Sequence, residues 1–153
     1  MSGRVFQINT SPGGVPKLAR LQTVVGALGL EGDLQRDMKS HGGPERALCL
    51  YPLENILALQ AEGHPVFPGA LGENLTVFGL EWSQLQPGTK LRIGQQVLVE
   101  VTRFTKPCNN LIPYFTSGDY SRVSQTKNPG WARVYARVLQ TGIVRTGDRI
   151  LIA

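Results

Sequence analysis

The two cysteines, Cys49 and Cys108, stand in unlike surroundings and have the most chemistry to offer. Cys49 lies in the apolar run Ala47-Leu-Cys-Leu-Tyr51, where a free thiol packs as a small hydrophobe. Cys108 follows Lys106-Pro107 and precedes Asn109-Asn110, just past a strand-like segment. Loops on a rigid scaffold carry function out of proportion to their length. A cationic neighbour such as Lys106 favours the thiolate, the form that binds metals and attacks electrophiles. On these residues alone, a reactive and an incidental Cys108 are equally good readings.

Three polar segments could join such a thiol. In His41-Gly-Gly-Pro-Glu-Arg46 the paired glycines allow close backbone approach to a ligand, with His41 and Arg46 able to face it. Read singly, this is equally a β-turn with a solvated histidine. In Leu71-Gly-Glu-Asn-Leu75, Asn74 can both donate and accept hydrogen bonds, and Glu73 could orient His41 or a lysine. The plainer reading is a turn residue beside a surface carboxylate. Ser11-Pro-Gly-Gly-Val-Pro-Lys17 is glycine-rich and ends in lysine, but it lacks the spacing and following helix of a phosphate-binding P-loop.

The elements that must position these residues read as short β-branched or alternating runs punctuated by Gly, Pro and Asn, the pattern of a barrel or sandwich. The pattern predicts strands over 4–8, 21–25, 47–51, 75–77, 90–93, 97–101, 134–139 and 149–152. Gly94-Gln-Gln96 is short enough to join the fifth and sixth as a hairpin. Leu53, Ile56, Leu57 and Gln60 have helical spacing, with Pro52 suited to a first turn and Gly63 to a stop, which predicts one helix over 52–62. A short helical turn is expected around 110–115, limited by Pro113. The expected fold is mainly β and barrel-like, with one substantial helix and short helical turns.

A length of 153 residues favours a single domain over 1–153. With 41% apolar residues and only 18% charged, the chain can build a core, which excludes disorder and a coiled coil as descriptions of the whole. No apolar run approaches the roughly 20 residues that span a bilayer, and the first ten residues lack the pattern of a leader. Two cysteines are too few for a disulfide scaffold or a four-thiolate centre, so a reducing cytoplasm is the expected location. The net charge of +5 is scattered singly along the chain, and aromatics are only 7%. That argues against nucleic acid and fits a local pocket for a small anion.

In this order, several segments resemble the MOSC domain, the family named for the C-terminal domain of molybdenum cofactor sulfurases. They are Ser11-Pro-Gly-Gly-Val-Pro-Lys17, Gly29-Leu-Glu-Gly-Asp33, His41-Gly-Gly-Pro-Glu-Arg-Ala47, Gly69-Ala-Leu-Gly-Glu-Asn-Leu75, Lys106-Pro-Cys108, Gly130-Trp-Ala-Arg133 with Ala136-Arg-Val138, and Gly142 followed by Gly147-Asp148. The resemblance implies a β-rich barrel that binds the molybdenum cofactor (molybdopterin), a pterin dithiolene with a phosphate tail. The family cysteine, here Cys108, is implied as metal ligand and catalytic centre. Lys17, Arg46 and Arg133 are the basic residues implied at the pocket, with His41 and Asn74 as polar contacts. Many relatives carry an arginine three positions before the cysteine; here Thr105 stands there, leaving Lys106 or Arg103 to supply charge.

Some relatives reduce N-hydroxylated compounds, and others terminate enzymes that place a sulfur on the cofactor. This chain has neither the cysteines of an iron–sulfur centre nor a dinucleotide fingerprint, so a separate electron-donor protein is expected beside a small-molecule substrate. Pyridoxal phosphate is not expected, because its lysine site belongs to a much larger fold. The resulting expectation is a molybdenum-cofactor-binding oxidoreductase or sulfur- and oxo-transfer protein. Its alternatives are a non-catalytic cofactor or sulfur carrier, and a metal-free thiol enzyme with Cys108 as nucleophile and His41 as base. Neither nucleic acid nor membrane is an expected partner.

Overall fold

The computed structural model describes residues 2–34 and 42–153. In chain order its elements are β1 (Ser2–Thr10), β2 (Leu18–Arg20), β3 (Gln22–Gly26), β4 (Gly29–Leu30), β5 (Leu48–Pro52), α1 (Leu53–Ala61), β6 (Leu75–Phe78), β7 (Lys90–Ile93), β8 (Val97–Phe104), β9 (Val134–Gln140), β10 (Gly142–Arg145) and β11 (Arg149–Ile152). Short 3₁₀ turns cover Pro44–Arg46, Trp82–Gln84, Asn109–Tyr114 and Tyr120–Val123.

Successive side chains on a strand face opposite ways, so a strand with one buried face alternates. β8 does so: Val97, Val99 and Val101 are buried, and Leu98, Glu100 and Thr102 are less so. Seven strands carrying such inward residues close into a barrel, β1-β11-β7-β8-β9-β5-β6 and back to β1, with β2 added beside the end of β1. Closure removes the unpaired edges of the sheet. The interior is aliphatic, with Val5, Ile8, Leu50, Leu75, Leu91 and Ile150 among the buried side chains. β3 stands apart from this ring: the segment expected over 21–25 forms a small sheet in the order β10-β3-β4.

β5 departs from alternation because both its faces are covered. All five residues, Leu-Cys-Leu-Tyr-Pro, are buried, and a strand covered on both sides reads as a continuous apolar run. Leu48 and Leu50 join the barrel core, while Tyr51 joins a second core with Ile56, Leu59, Leu71, Leu111 and Phe115. β5 and β6 are parallel, which requires a crossover, and α1 lies within it.

Pro52 closes β5 in extended geometry (φ −83°, ψ 138°) rather than occupying the helix's first turn, so α1 is one residue shorter at each end than 52–62. The helix stops as expected at Gly63, whose φ is +96°. Hydrogen bonds from Gly63 N–H to the Gln60 carbonyl and from His64 N–H to the Leu59 carbonyl complete a Schellman cap. The hairpin over 90–101 also forms, with Ile93 opposite Val97 and Gly94 at φ +63°. β2, β4 and β10 were not expected from the sequence. No helix among the described residues is long and apolar enough to cross a membrane.

Candidate functional site

Cys49 and Tyr135 are directly paired across β5 and β9, so they share a face. Both line a concavity against the outer side of the barrel, together with Cys108 and Arg133. The walls come from loops: Gly14, Val15 and Lys17 after β1, Arg46 before β5, Leu71, Gly72 and Asn74 before β6, and Asn110 and Leu111 beyond Cys108.

Cys108 is half-buried and sits in extended geometry at the start of the Asn109–Tyr114 turn, its carbonyl accepting Leu111 N–H at 3.0 Å. The loop that carries it leaves β8 beside the segment entering β9, held there by Thr105 N–H donating to the Arg133 carbonyl at 2.9 Å. Arg133 is buried; its Nη1 donates to the Leu71 carbonyl and its Nε has no partner. Arg46 lies over the Tyr135 ring, 5.9 Å from its centroid.

Lys17 and Asn74 line the concavity but are committed within it. Lys17 Nζ lies 2.6 and 2.7 Å from the two oxygens of Asp33. Asp33 also accepts from Ser11 N–H and from Asn74 Nδ2, both at 2.9 Å. Asn74 Oδ1 in turn accepts Cys49 N–H at 2.9 Å. One carboxylate thus ties the glycine-rich loop to the strand that carries Cys49. The loop, whose Val15–Pro16 peptide is cis, is pinned further by Lys17 N–H on the Gly69 carbonyl at 2.9 Å. A Cβ at Gly69 would run into the Lys17 carbonyl, so this approach requires glycine.

Burial pushes the Cys49 thiol up to about 11, against an opposing pull from Arg133. It likewise pushes the Tyr135 hydroxyl up to about 12. Both are therefore neutral at pH 7. Among the described residues, no group of three His, Cys, Asp or Glu side chains could hold a bare metal ion. The concavity offers the Cys108 thiol, Arg46, Arg133 and amide groups, a donor set suited to an anionic ligand that brings its own metal ligands.

Of the six residues expected at the site, the structure brings Cys108, Lys17, Arg46, Asn74 and Arg133 to one concavity. His41 lies outside the described residues. Two expectations are corrected. Lys106 does not line the Cys108 concavity but a second one, and Arg103 is exposed in the β8–β9 pairing opposite Tyr135; the cationic lining is Arg46 and Arg133, with the ion-paired Lys17. Glu73 is no surface carboxylate: it is fully buried and accepts from Gly69 N–H and the Thr76 hydroxyl rather than from a lysine. Cys49 is buried at 6% exposure, as expected, and its side of β5 borders the concavity. Asp33, Tyr135 and Asn110 had no role assigned. The signal available for Tyr135 was alternation from Val134, and for Asp33 its place in Gly29-Leu-Glu-Gly-Asp33.

Comparison with known proteins places this geometry in context. The chain is 37% identical over 139 residues to the protein YiiM of Escherichia coli and 36% identical over 121 residues to YflK of Bacillus subtilis. The matches take in 82% and 78% of this chain but only 60% and 53% of those proteins. A protein of Gibberella moniliformis named a reductase is 33% identical over 129 residues, which are 22% of its length. The crystal structure of YiiM from Geobacillus stearothermophilus superposes with a TM-score of 0.79 at 25% identity, over 99% of this chain and 75% of that one. The MOSC domain profile matches residues 37–151, and the chain belongs to the MOSC domain family.

Proposed function

We propose that this chain binds the molybdenum cofactor, with the Cys108 sulfur as its one protein ligand to the metal, and that the loaded protein reduces N-hydroxylated small molecules. The observation that carries the reading is the half-buried Cys108 at a concavity lined by Arg46 and by a buried Arg133 whose Nε is unpartnered. A buried guanidinium with a vacant donor suits an oxyanion, and a thiolate suits a soft, sulfur-rich metal centre. The residues present therefore fit the group. The concavity encloses only about 70 Å³, well below the roughly 300–1,000 Å³ of pockets that enclose a whole small molecule. It grips the reacting end of a ligand and leaves the remainder outside.

The cofactor, when bound, supplies the two-electron chemistry by which an N–OH nitrogen loses its oxygen, two electrons and two protons giving amine and water. The chain's residues bind and orient. Cys108 anchors, Arg133 and Arg46 balance negative charge, and the Asp33 clamp through Lys17 and Asn74 fixes the floor strand relative to the loop wall. Tyr135 keeps its proton at neutral pH and remains a hydrogen-bond donor. The electrons come from a separate reductase protein.

The test is the metal and pterin content of protein made in a cofactor-competent host. Cys108→Ser is expected to lose most of its molybdenum while keeping its fold by circular dichroism. Undiminished molybdenum in that variant refutes the ligand role.

A further inference from the structure

The segment that carries Cys108 separates two concavities. The second, of about 520 Å³, lies between Phe104–Pro107 and the stretch from Tyr120 to Lys127. Lys106 and Lys127 both line it, and no Asp or Glu does. Neither lysine forms an ion pair among the described residues. Asp119, whose carboxyl feels the Lys127 charge, does not line the concavity, and its Oδ1 accepts the N–H and hydroxyl of Ser121 at 3.1 and 2.6 Å.

Two hydroxyls at this concavity have protons to give. Thr105 is buried, at 2% exposure, and its Oγ1 has no partner. Native structures rarely leave such an atom unsatisfied without a water or ligand. Ser124 Oγ accepts Lys127 N–H at 3.5 Å, which leaves its own proton unspent. Two ammonium groups and two hydroxyl donors, with no carboxylate on the wall, form a cationic, donor-rich site, and a concave wall strengthens their field.

We propose that this concavity is an oxyanion site, distinct from the Cys108 pocket, that takes a phosphate-type dianion through Lys106, Lys127, Thr105 and Ser124. Such an anion could be borne by a free phosphate ester or by the tail of a bound pterin, and the chemistry of recognition is the same. Because residues 104–107 line this concavity and the next residue, Cys108, lines the other, a phosphate here would set the distance between a ligand's anionic end and Cys108.

The test is a titration of the whole, metal-free chain with inorganic phosphate, followed by backbone amide resonances at constant ionic strength. Saturable shifts are expected at residues 105–107 and 121–127. Lys106→Gln and Lys127→Gln should each weaken binding roughly tenfold, with an unchanged thermal midpoint because both side chains are exposed. Thr105→Val, which keeps shape and removes the hydroxyl, should also weaken binding without loss of stability. Shifts that chloride reproduces equally, or binding unaffected by the lysine double variant, overturn the proposal. The double variant made in a cofactor-competent host separates the sources. Reduced pterin content identifies the cofactor tail, and retained pterin with lost phosphate binding identifies a separate phosphate-bearing molecule. The titration needs no metal, so its failure is distinct from failure of the Cys108 reading.

Discussion

Cys49 and Tyr135 face each other in the β5–β9 register and line the same concavity as Cys108, so two thiols of one chain share a cavity in different states. Cys49 is 6% exposed and burial holds its thiol at about 11, whereas Cys108 is half-buried on a loop.

That difference predicts selective alkylation. At pH 7.5 the Cys49 thiolate is a fraction of about one in several thousand, and little of its surface is open to the concavity. Iodoacetamide is expected to label Cys108 and leave Cys49 unmodified in the folded chain, with both labelled in denaturant. Peptide mass spectrometry reads the outcome, and equal labelling of the two in native protein would contradict the assigned burial.

The Asp33 clamp predicts a stability effect. Lys17 and Asp33 are 8% and 1% exposed in their side chains, and removing one partner of a buried pair leaves an uncompensated charge, at a cost of about 3–5 kcal/mol. Asp33→Asn should lower unfolding free energy by that order and detach the loop from Asn74. The Lys17→Met/Asp33→Asn double variant should recover at least half of the loss. Urea denaturation of Asp33→Asn, Lys17→Met and the double variant gives the coupling, and additive effects would show that the pair is not acting as a unit.

These groups also show what could be read before the fold was known. The residue types at the concavity were legible, because Cys108, Arg46, Asn74 and Arg133 stand in polar or glycine-rich segments that interrupt apolar runs. Their convergence was not, since it depends on the β5–β9 register and on a parallel β5–β6 pair that no local pattern encodes. Cys49 was hidden by the continuous apolar run of a strand covered on both faces. β10 was hidden because Gly142 at its start reads as a turn; there a Cβ would crowd Gln96. Asp33 was given no role beyond its place in Gly29-Leu-Glu-Gly-Asp33, and only the folded chain brings Lys17 and Asn74 to it.

Glu73 predicts a pH dependence. Burial raises its carboxyl above the ordinary value, with hydrogen bonds from Gly69 and Thr76 opposing, and its Oε1 has no partner. A carboxyl raised on folding contributes stability in full below its unfolded pKa, near 4.5, and that contribution is lost as pH rises through the folded value. Glu73→Gln keeps an acceptor for Gly69 and Thr76 and cannot ionise. It should gain on the order of 1 kcal/mol over the parent at pH 8, with the difference disappearing toward pH 4. Thermal melts across that range test it, and a parent more stable than the variant at pH 8 would mean the ionised carboxylate is favourably held.

The two arginines at the concavity should separate binding from folding. Arg133 is buried and satisfies the Leu71 carbonyl. Arg133→Gln therefore leaves a buried acceptor without its donor, costing about 1–3 kcal/mol, and also removes the positive charge that would balance the proposed cofactor. Arg46 is only half-buried and packs on Tyr135, so Arg46→Gln should change stability by no more than about 1 kcal/mol while still weakening retention of an anionic ligand. Thermal midpoint and pterin retained after gel filtration, measured on both variants from a cofactor-competent host, place each arginine. Arg133→Gln should fall in both measures and Arg46→Gln in retention alone. Full retention in both variants would remove the electrostatic basis for placing the cofactor at this concavity.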